Sequence, residues 1–172
     1  MLTKPLVILG TARKTGETRR AIDIAFPDGS ANLVILTDQD IGRYEYDHKS
    51  ANDDFLTIVD QMVRAQAVVF ATPVYWYAMS GPLKNFFDRL TDLLEIAKDK
   101  GRGLANKKVW LLCTGTDETM PDGFEVPFSR TADYFSMHYC GAGYLYSGNN
   151  VQFRRISETE IAAFGRRIHS ES

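Results

Sequence analysis

The chain has 172 residues, is 44% hydrophobic and 24% charged, and sets 20 basic against 22 acidic side chains for a formal net charge of −2. Such averages exclude a disordered or fibrous chain, and the charge balance gives no general attraction for nucleic acid or anionic lipid. No run approaches the roughly 20 apolar residues of a bilayer span. Met1-Leu2-Thr3-Lys4-Pro5 leads straight into a strand-like segment rather than reading as a cleavable leader. The size implies one domain over residues 1–172, expected in the cytoplasm with neither membrane nor nucleic acid as partner. Cys113 and Cys140 lie in apolar segments and read as buried free thiols.

Pro5 to Leu9 is a short apolar run closed by Gly10, which predicts a buried strand. Thr15 to Ala25 has helical spacing and is ended by Pro27-Asp28-Gly29. Asn32 to Leu36 predicts a second strand, and residues 38–52 a long polar loop. A helix capped by Asn52 or Asp53 follows, with Phe55, Ile58, Val59, Met62 and Val63 as its apolar stripe. Ala67 to Ala71 is a third strand. Ser80 then caps a helix whose Leu83, Phe86, Phe87, Leu90, Leu93 and Leu94 recur at three- and four-residue steps. Strands over Val109–Cys113 and Tyr139–Tyr146, with helices over Phe128–Met137 and Glu158–Ile168, complete the pattern.

Strands that are continuously apolar, alternating with helices, imply a parallel sheet covered on both faces. Right-handed crossovers then favour a doubly wound fold, whose ligand site lies in the loops beyond the carboxyl ends of the strands. Three loops qualify. The first, Gly10-Thr11-Ala12-Arg13-Lys14-Thr15-Gly16-Glu17-Thr18, opens a helix whose unpaired N–H groups, threonine hydroxyls and cations suit a terminal phosphate. The plainer reading has Thr15 as the helix cap and Glu17 complementing the dipole. A phosphate here requires the Glu17 carboxylate to point outward. The lysine-centred nucleotide loop does not fit, because Gly16 is followed by glutamate.

The second loop, Thr72 to Lys84, puts Tyr75-Trp76-Tyr77 at the mouth of the sheet. Three consecutive aromatics there suit the edge of a flat conjugated ligand, or a subunit interface, and the two readings are compatible. The third loop begins Thr114-Gly115-Thr116-Asp117-Glu118, small residues that let backbone approach a ring edge. Asp117 and Glu118 either face that ring or form a solvated turn. His48, His138 and His169 lack metal-ligand spacing, and no serine or cysteine occupies a nucleophile elbow. A phospho-receiver would need acidic residues ending the first and third strands, where Gly10-Thr11 and Thr72-Pro73 stand. No catalytic acid or base and no metal ligand is expected.

Pro73-Val74-Tyr75-Trp76 followed by Gly81, Leu83, Lys84 and Asp88 resembles the flavin loop of the NADPH-dependent FMN reductases, a family overlapping the multimeric flavodoxin-like oxidoreductases. Gly10-Thr11-Ala12-Arg13 with Gly16 and Thr18 resembles its phosphate loop, with Thr11 for the usual serine and Glu17 for a small polar residue. The resemblance implies a flavodoxin-like α/β fold: a doubly wound, five-stranded parallel sheet of order 2-1-3-4-5 with helices on both faces. It further implies non-covalent FMN, NAD(P)H as co-substrate, and a homodimer or homotetramer. By position, Thr11, Arg13, Gly16 and Thr18 would hold the phosphate, Pro73, Val74, Tyr75 and Trp76 would line the isoalloxazine, and Thr114, Gly115 and Thr116 its opposite edge.

The activity so implied is two-electron transfer from NAD(P)H through flavin to a small acceptor: a quinone, a nitro or azo compound, or free flavin. Donor and acceptor would alternate over one ring face in ping-pong order. A non-catalytic flavin electron carrier, and a flavodoxin-fold module that has lost FMN, are the alternatives the residues leave open.

Overall fold

The computed structural model describes residues 4–50 and 52–171; the Met1–Thr3 part of the N-terminal reading, Ala51 and Ser172 lie outside them. Five strands form one parallel sheet: β1 (Leu6–Leu9), β2 (Asn32–Ile35), β3 (Ala67–Pro73), β4 (Lys108–Gly115) and β5 (His138–Tyr146). Their order is β2-β1-β3-β4-β5, with every neighbouring pair parallel. The doubly wound expectation therefore holds, and the switch point falls between β1 and β3.

Strand side chains alternate between two cores. Leu6, Ile8, Val68, Phe70, Val109 and Leu111 face helices α2 (Phe55–Arg64), α3 (Gly81–Arg89) and α6 (Val126–Tyr134). Val7, Leu9, Val69, Trp110 and Leu112 face α1 (Glu17–Ala25) and α7 (Val151–Glu171). Burial on both faces explains why the strands read as unbroken apolar runs.

Boundaries differ from the sequence reading in instructive ways. The apolar spacing from Leu83 to Leu94 predicts one helix, but the chain breaks it into α3 and a short α4 (Asp92–Glu95), with α5 (Lys98–Gly103) following. Leu83, Phe86, Leu90 and Leu93 are buried within the protomer, while Leu94 at the end of the stripe stays 39% exposed. The closing helix begins seven residues before Glu158, its first turn stapled by Asn150, whose Oδ1 accepts from Gln152 N at 3.0 Å. Cys113 is buried, and desolvation pushes its thiol well above the ordinary range; Cys140 is only half-buried, against expectation.

The polar loop after β2 is fastened to α3 by one cation. Arg89 is 1% exposed, pairs with Asp53 and with Asp92 (2.8 Å to Oδ2), and donates to the carbonyls of Gly42 and Ser50 at 3.1 Å. Its guanidinium also lies 4.8 Å from the Phe55 ring centroid. Burial alone would lower its pKa, but its hydrogen bonds to the Asp53 and Asp92 carboxylates outweigh that and the net shift is upward.

Candidate functional site

The three loops at the carboxyl edge enclose a cavity of about 400 Å³. Its walls are Thr11, Arg13, Gly16, Glu17 and Thr18 from the first loop, Pro73, Val74 and Tyr75 from the second, and Thr114, Gly115, Thr116 and Ser147. Ten of the eleven residues singled out from the sequence thus line one space. Trp76 lies beside it, in a smaller hollow of about 180 Å³ between the second and third loops with Val74, Tyr77, Gly115, Thr116, Asp117 and Tyr144. Glu17 and Ser147 border the cavity without having been assigned to it. Glu17 was set aside on charge, and Ser147 follows the last strand, where the sequence carries no motif.

The first loop leaves a helix start open. Residue Gly16, not Thr15, is the N-cap of α1; its backbone is extended and no side chain caps the first turn. The N–H groups there remain available to an acceptor in the cavity. By contrast, α3 is closed by its own residue: Ser80 Oγ accepts from Leu83 N at 3.4 Å. The same hydroxyl donates to the Gly10 carbonyl at 2.7 Å, which ties the first loop to the second. The loop's two cations divide. Lys14 pairs with Asp38 beyond β2, whereas Arg13 borders the cavity and has no ion-pair partner among the described residues. Thr18 and Thr114 hydroxyls meet at 2.9 Å and join the first loop to the third.

The second loop ends in a tight hairpin. Tyr75 N–H donates to the Ala78 carbonyl at 2.9 Å and Ala78 N–H returns to Tyr75 at 3.0 Å. Between them, Trp76 (φ 49°) and Tyr77 (φ 61°) both adopt positive φ, the backbone pattern of a type I′ turn. That turn favours Asn-Gly, and two aromatics hold it at a cost. Trp76 is 94% exposed and Tyr77 71%, so packing does not offset the strain. Replacing the pair by Asn-Gly is expected to raise stability by about 1–2 kcal/mol. An unchanged or lower thermal midpoint would show the hairpin to be unstrained.

The third loop rests on β5 and the residue after it. Gly115 lies so close to Tyr144 that a Cβ there would stand 2.5 Å from the phenol oxygen. Tyr144 Oη donates to the Asp117 carbonyl at 2.8 Å, and Ser147 gives its N–H (2.8 Å) and hydroxyl (2.9 Å) to the Gly115 carbonyl. Burial, with the nearby Cys113 and Asp117, pushes the Tyr144 phenol up to about 12, so it stays a neutral donor at ordinary pH. Asp117 and Glu118 are both exposed and neither borders the 400 Å³ cavity, though Asp117 lines the smaller hollow beside Trp76.

Residues 3–150 match the model of a family described as NADPH-dependent FMN reductase. The chain belongs to that family. The protein YwqN of Bacillus subtilis, provisionally named an NAD(P)H-dependent FMN-containing oxidoreductase, is 25% identical over 148 residues, covering 80% of this chain and 82% of that protein. Among solved structures, the Trp repressor binding protein from Bacillus subtilis superposes with a TM-score of 0.73 at 22% identity, over 92% of this chain and 95% of that one. The FMN complex of an FMN-dependent NADH-azoreductase from Bacillus anthracis gives 0.71 at 10% identity, over 96% and 99%. These structures establish the flavodoxin-like fold. Family membership makes the protein an oxidoreductase that works with FMN and takes electrons from NAD(P)H.

The cavity fits that cofactor. Its volume is within the range of small-molecule sites. An open helix start, an arginine without an ion-pair partner among the described residues, threonine and serine hydroxyls, and exposed aromatic and glycine-bearing loops share its wall. Among the described residues no cluster of His, Cys, Asp or Glu could hold a metal, and no helix is long and apolar enough to cross a membrane.

Proposed function

We propose that this cavity holds FMN, phosphate against the start of α1 and isoalloxazine between the second and third loops, and that the enzyme passes electrons from NAD(P)H to a small oxidised acceptor. The observation that carries the reading is the convergence, on one space, of ten residues drawn from three separated loops. Bound there, FMN supplies two-electron acceptance from the nicotinamide and delivery to a quinone, a nitro or azo compound, or a free flavin. The chain's own part is placement and electrostatics.

First-turn N–H groups of α1, Arg13 and the hydroxyls of Thr11 and Thr18 hold the phosphate. Pro73, Val74 and Tyr75 flank one edge of the ring; Thr114, Gly115 and Thr116 flank the other. Trp76, exposed at the hairpin tip beside the cavity, offers a stacking surface to whichever substrate is present, in keeping with ping-pong turnover. Pre-set backbone dipoles of the third loop, fixed by Tyr144 and Ser147, stabilise negative charge developing near them. No side-chain acid or base is assigned.

Trp76 and Tyr77 also suit a homodimer or homotetramer, and a cytoplasmic enzyme agrees with the free thiols. Light scattering that returned a monomer mass would remove the oligomer. The reading as a whole is tested by titrating flavin-free protein with FMN, followed by flavin fluorescence. Saturable one-to-one binding is expected, with NAD(P)H-dependent quinone reduction by the loaded protein. Arg13→Glu, a two-unit charge reversal beside the phosphate, is expected to weaken FMN binding by at least about tenfold. Unchanged affinity would take Arg13 out of the phosphate site.

A further inference from the structure

A phosphate at the first loop requires the Glu17 carboxylate to point outward. The residue borders the cavity alongside Arg13, Gly16 and Thr18. Its carboxylate sits between two guanidinium groups, with Oε2 3.3 Å from Arg20 Nη1 and Oε1 3.5 Å from Arg154 Nη1. Both separations exceed the 2.7–2.9 Å of a strong charge-assisted bond. Each arginine has firmer partners. Arg20 pairs with Glu158, and that hydrogen bond is the chief cause of its raised pKa. Arg154 Nη2 donates to the carbonyls of Ser147 (2.9 Å) and Gly148 (3.3 Å). Glu17 is thus held loosely, across the seam where α1 meets the start of α7.

Arg13 and Glu17 border the cavity, and Arg20, Arg154 and Glu158 stand behind Glu17 in one chain of ion pairs. The three cations and two carboxylates leave a balance of +1 to meet a phosphate dianion. As the first residue of α1, Glu17 also takes up part of the helix dipole that a phosphate would use.

We infer that Glu17 is a specificity residue, a carboxylate that competes with the flavin phosphate for Arg20, Arg154 and the α1 terminus. The inference rests on the phosphate end lying where the preceding subsection puts it. Its consequence is that the site recognises chiefly what all flavins share, the ring and ribityl chain, and gains little from the phosphate. Riboflavin is then a ligand of the same pocket, and flavins exchange readily. This deepens the cofactor assignment: the pocket's ligands include flavins with or without a 5′-phosphate.

The test measures dissociation constants of FMN and of riboflavin for the full flavin-free chain and for two variants, by quenching of flavin fluorescence. Wild type is expected to bind riboflavin within about a hundredfold of FMN. Glu17→Gln raises FMN affinity about tenfold, the effect of removing one nearby unit charge, and leaves riboflavin within about twofold. Arg154→Gln, which leaves the carboxylate uncompensated, lowers FMN affinity by a similar factor, again without moving riboflavin. Glu17 is 39% exposed, so its replacement by an isosteric amide leaves the fold intact, which a thermal melt verifies.

A wild-type preference for FMN well beyond a hundredfold, or Glu17→Gln leaving the ratio of the two affinities unchanged, overturns the inference alone. Equal shifts for both flavins do the same, because they mark a structural effect. Failure of wild type to bind either flavin overturns the cofactor site itself, and the inference with it.

Discussion

Replacing Arg89 by Met is expected to lower the free energy of unfolding by about 3–5 kcal/mol, measured as a fall in the urea midpoint. The side chain is almost completely buried and compensates two carboxylates, Asp53 and Asp92, that are themselves 8% and 3% exposed. A methionine of similar length restores the packing over Phe55 but leaves two negative charges in a poorly solvated place, together with the Gly42 and Ser50 carbonyls that Arg89 serves. Asp92 has one further partner, His48 Nδ1 at 3.0 Å, and that ring also reaches Glu95 at 2.8 Å. A single imidazole cannot replace a guanidinium that serves four acceptors. The loop over residues 39–54 is expected to loosen first, so its amides should lose hydrogen-exchange protection beyond the global change. A loss below about 1 kcal/mol would mean the loop is held mainly by other contacts.

Gly165→Ala is the second large effect, and its sign runs against helix propensity. In an open helix, alanine for glycine stabilises by about 1 kcal/mol. Gly165 lies inside α7 where the helix crosses α1, and a Cβ there would stand 1.9 Å from the Ala25 carbonyl oxygen, a backbone atom with no rotamer to escape into. The two helices must separate, opening the core around Ile22, Ile161 and Phe164. Overpacking of this kind costs about 1–3 kcal/mol after the propensity gain is offset. The same movement carries the start of α1, so weakened FMN binding should accompany the lower thermal midpoint. An alanine variant more stable than wild type would contradict the close crossing.

The fold was legible because its signals are redundant. Val7, Ile8 and Leu9, or Val68, Val69 and Phe70, are apolar at successive positions, a pattern only a sheet buried on both faces explains. The break after Arg89 was not legible. The apolar period continues through Leu90, Leu93 and Leu94, while at the break Arg89 reaches both the neighbouring Asp92 and Asp53, 36 residues away, and the second of these pairs has no local signature. At the site, glycines, threonines and aromatics at strand ends named most of the cavity wall in advance, because those residue types suit backbone approach and ring contact.

What escaped was pairing. Nothing local says that Lys14 is drawn off to Asp38, that Glu17 is caught between Arg20 and Arg154, or that Ser147 closes the wall from beyond β5. Such partners lie up to 137 residues apart in sequence, and periodicity carries no information about them.

Three larger hollows compete with the proposed site: one of about 600 Å³ beside Arg43, Tyr44 and α3, one of about 530 Å³ over β5 and α7, and one of about 450 Å³ beside Leu93, Leu94 and Tyr134. Volume alone would favour any of them. The chemistry of their walls does not, since none sets an open helix start beside a row of hydroxyls. The deciding measurement is a crystal structure of the protein with FMN added. Phosphate density is expected at the first turn of α1 beside Arg13, with the ring between Tyr75 and Thr116. FMN density in any larger hollow, with the α1 terminus empty, would contradict that placement.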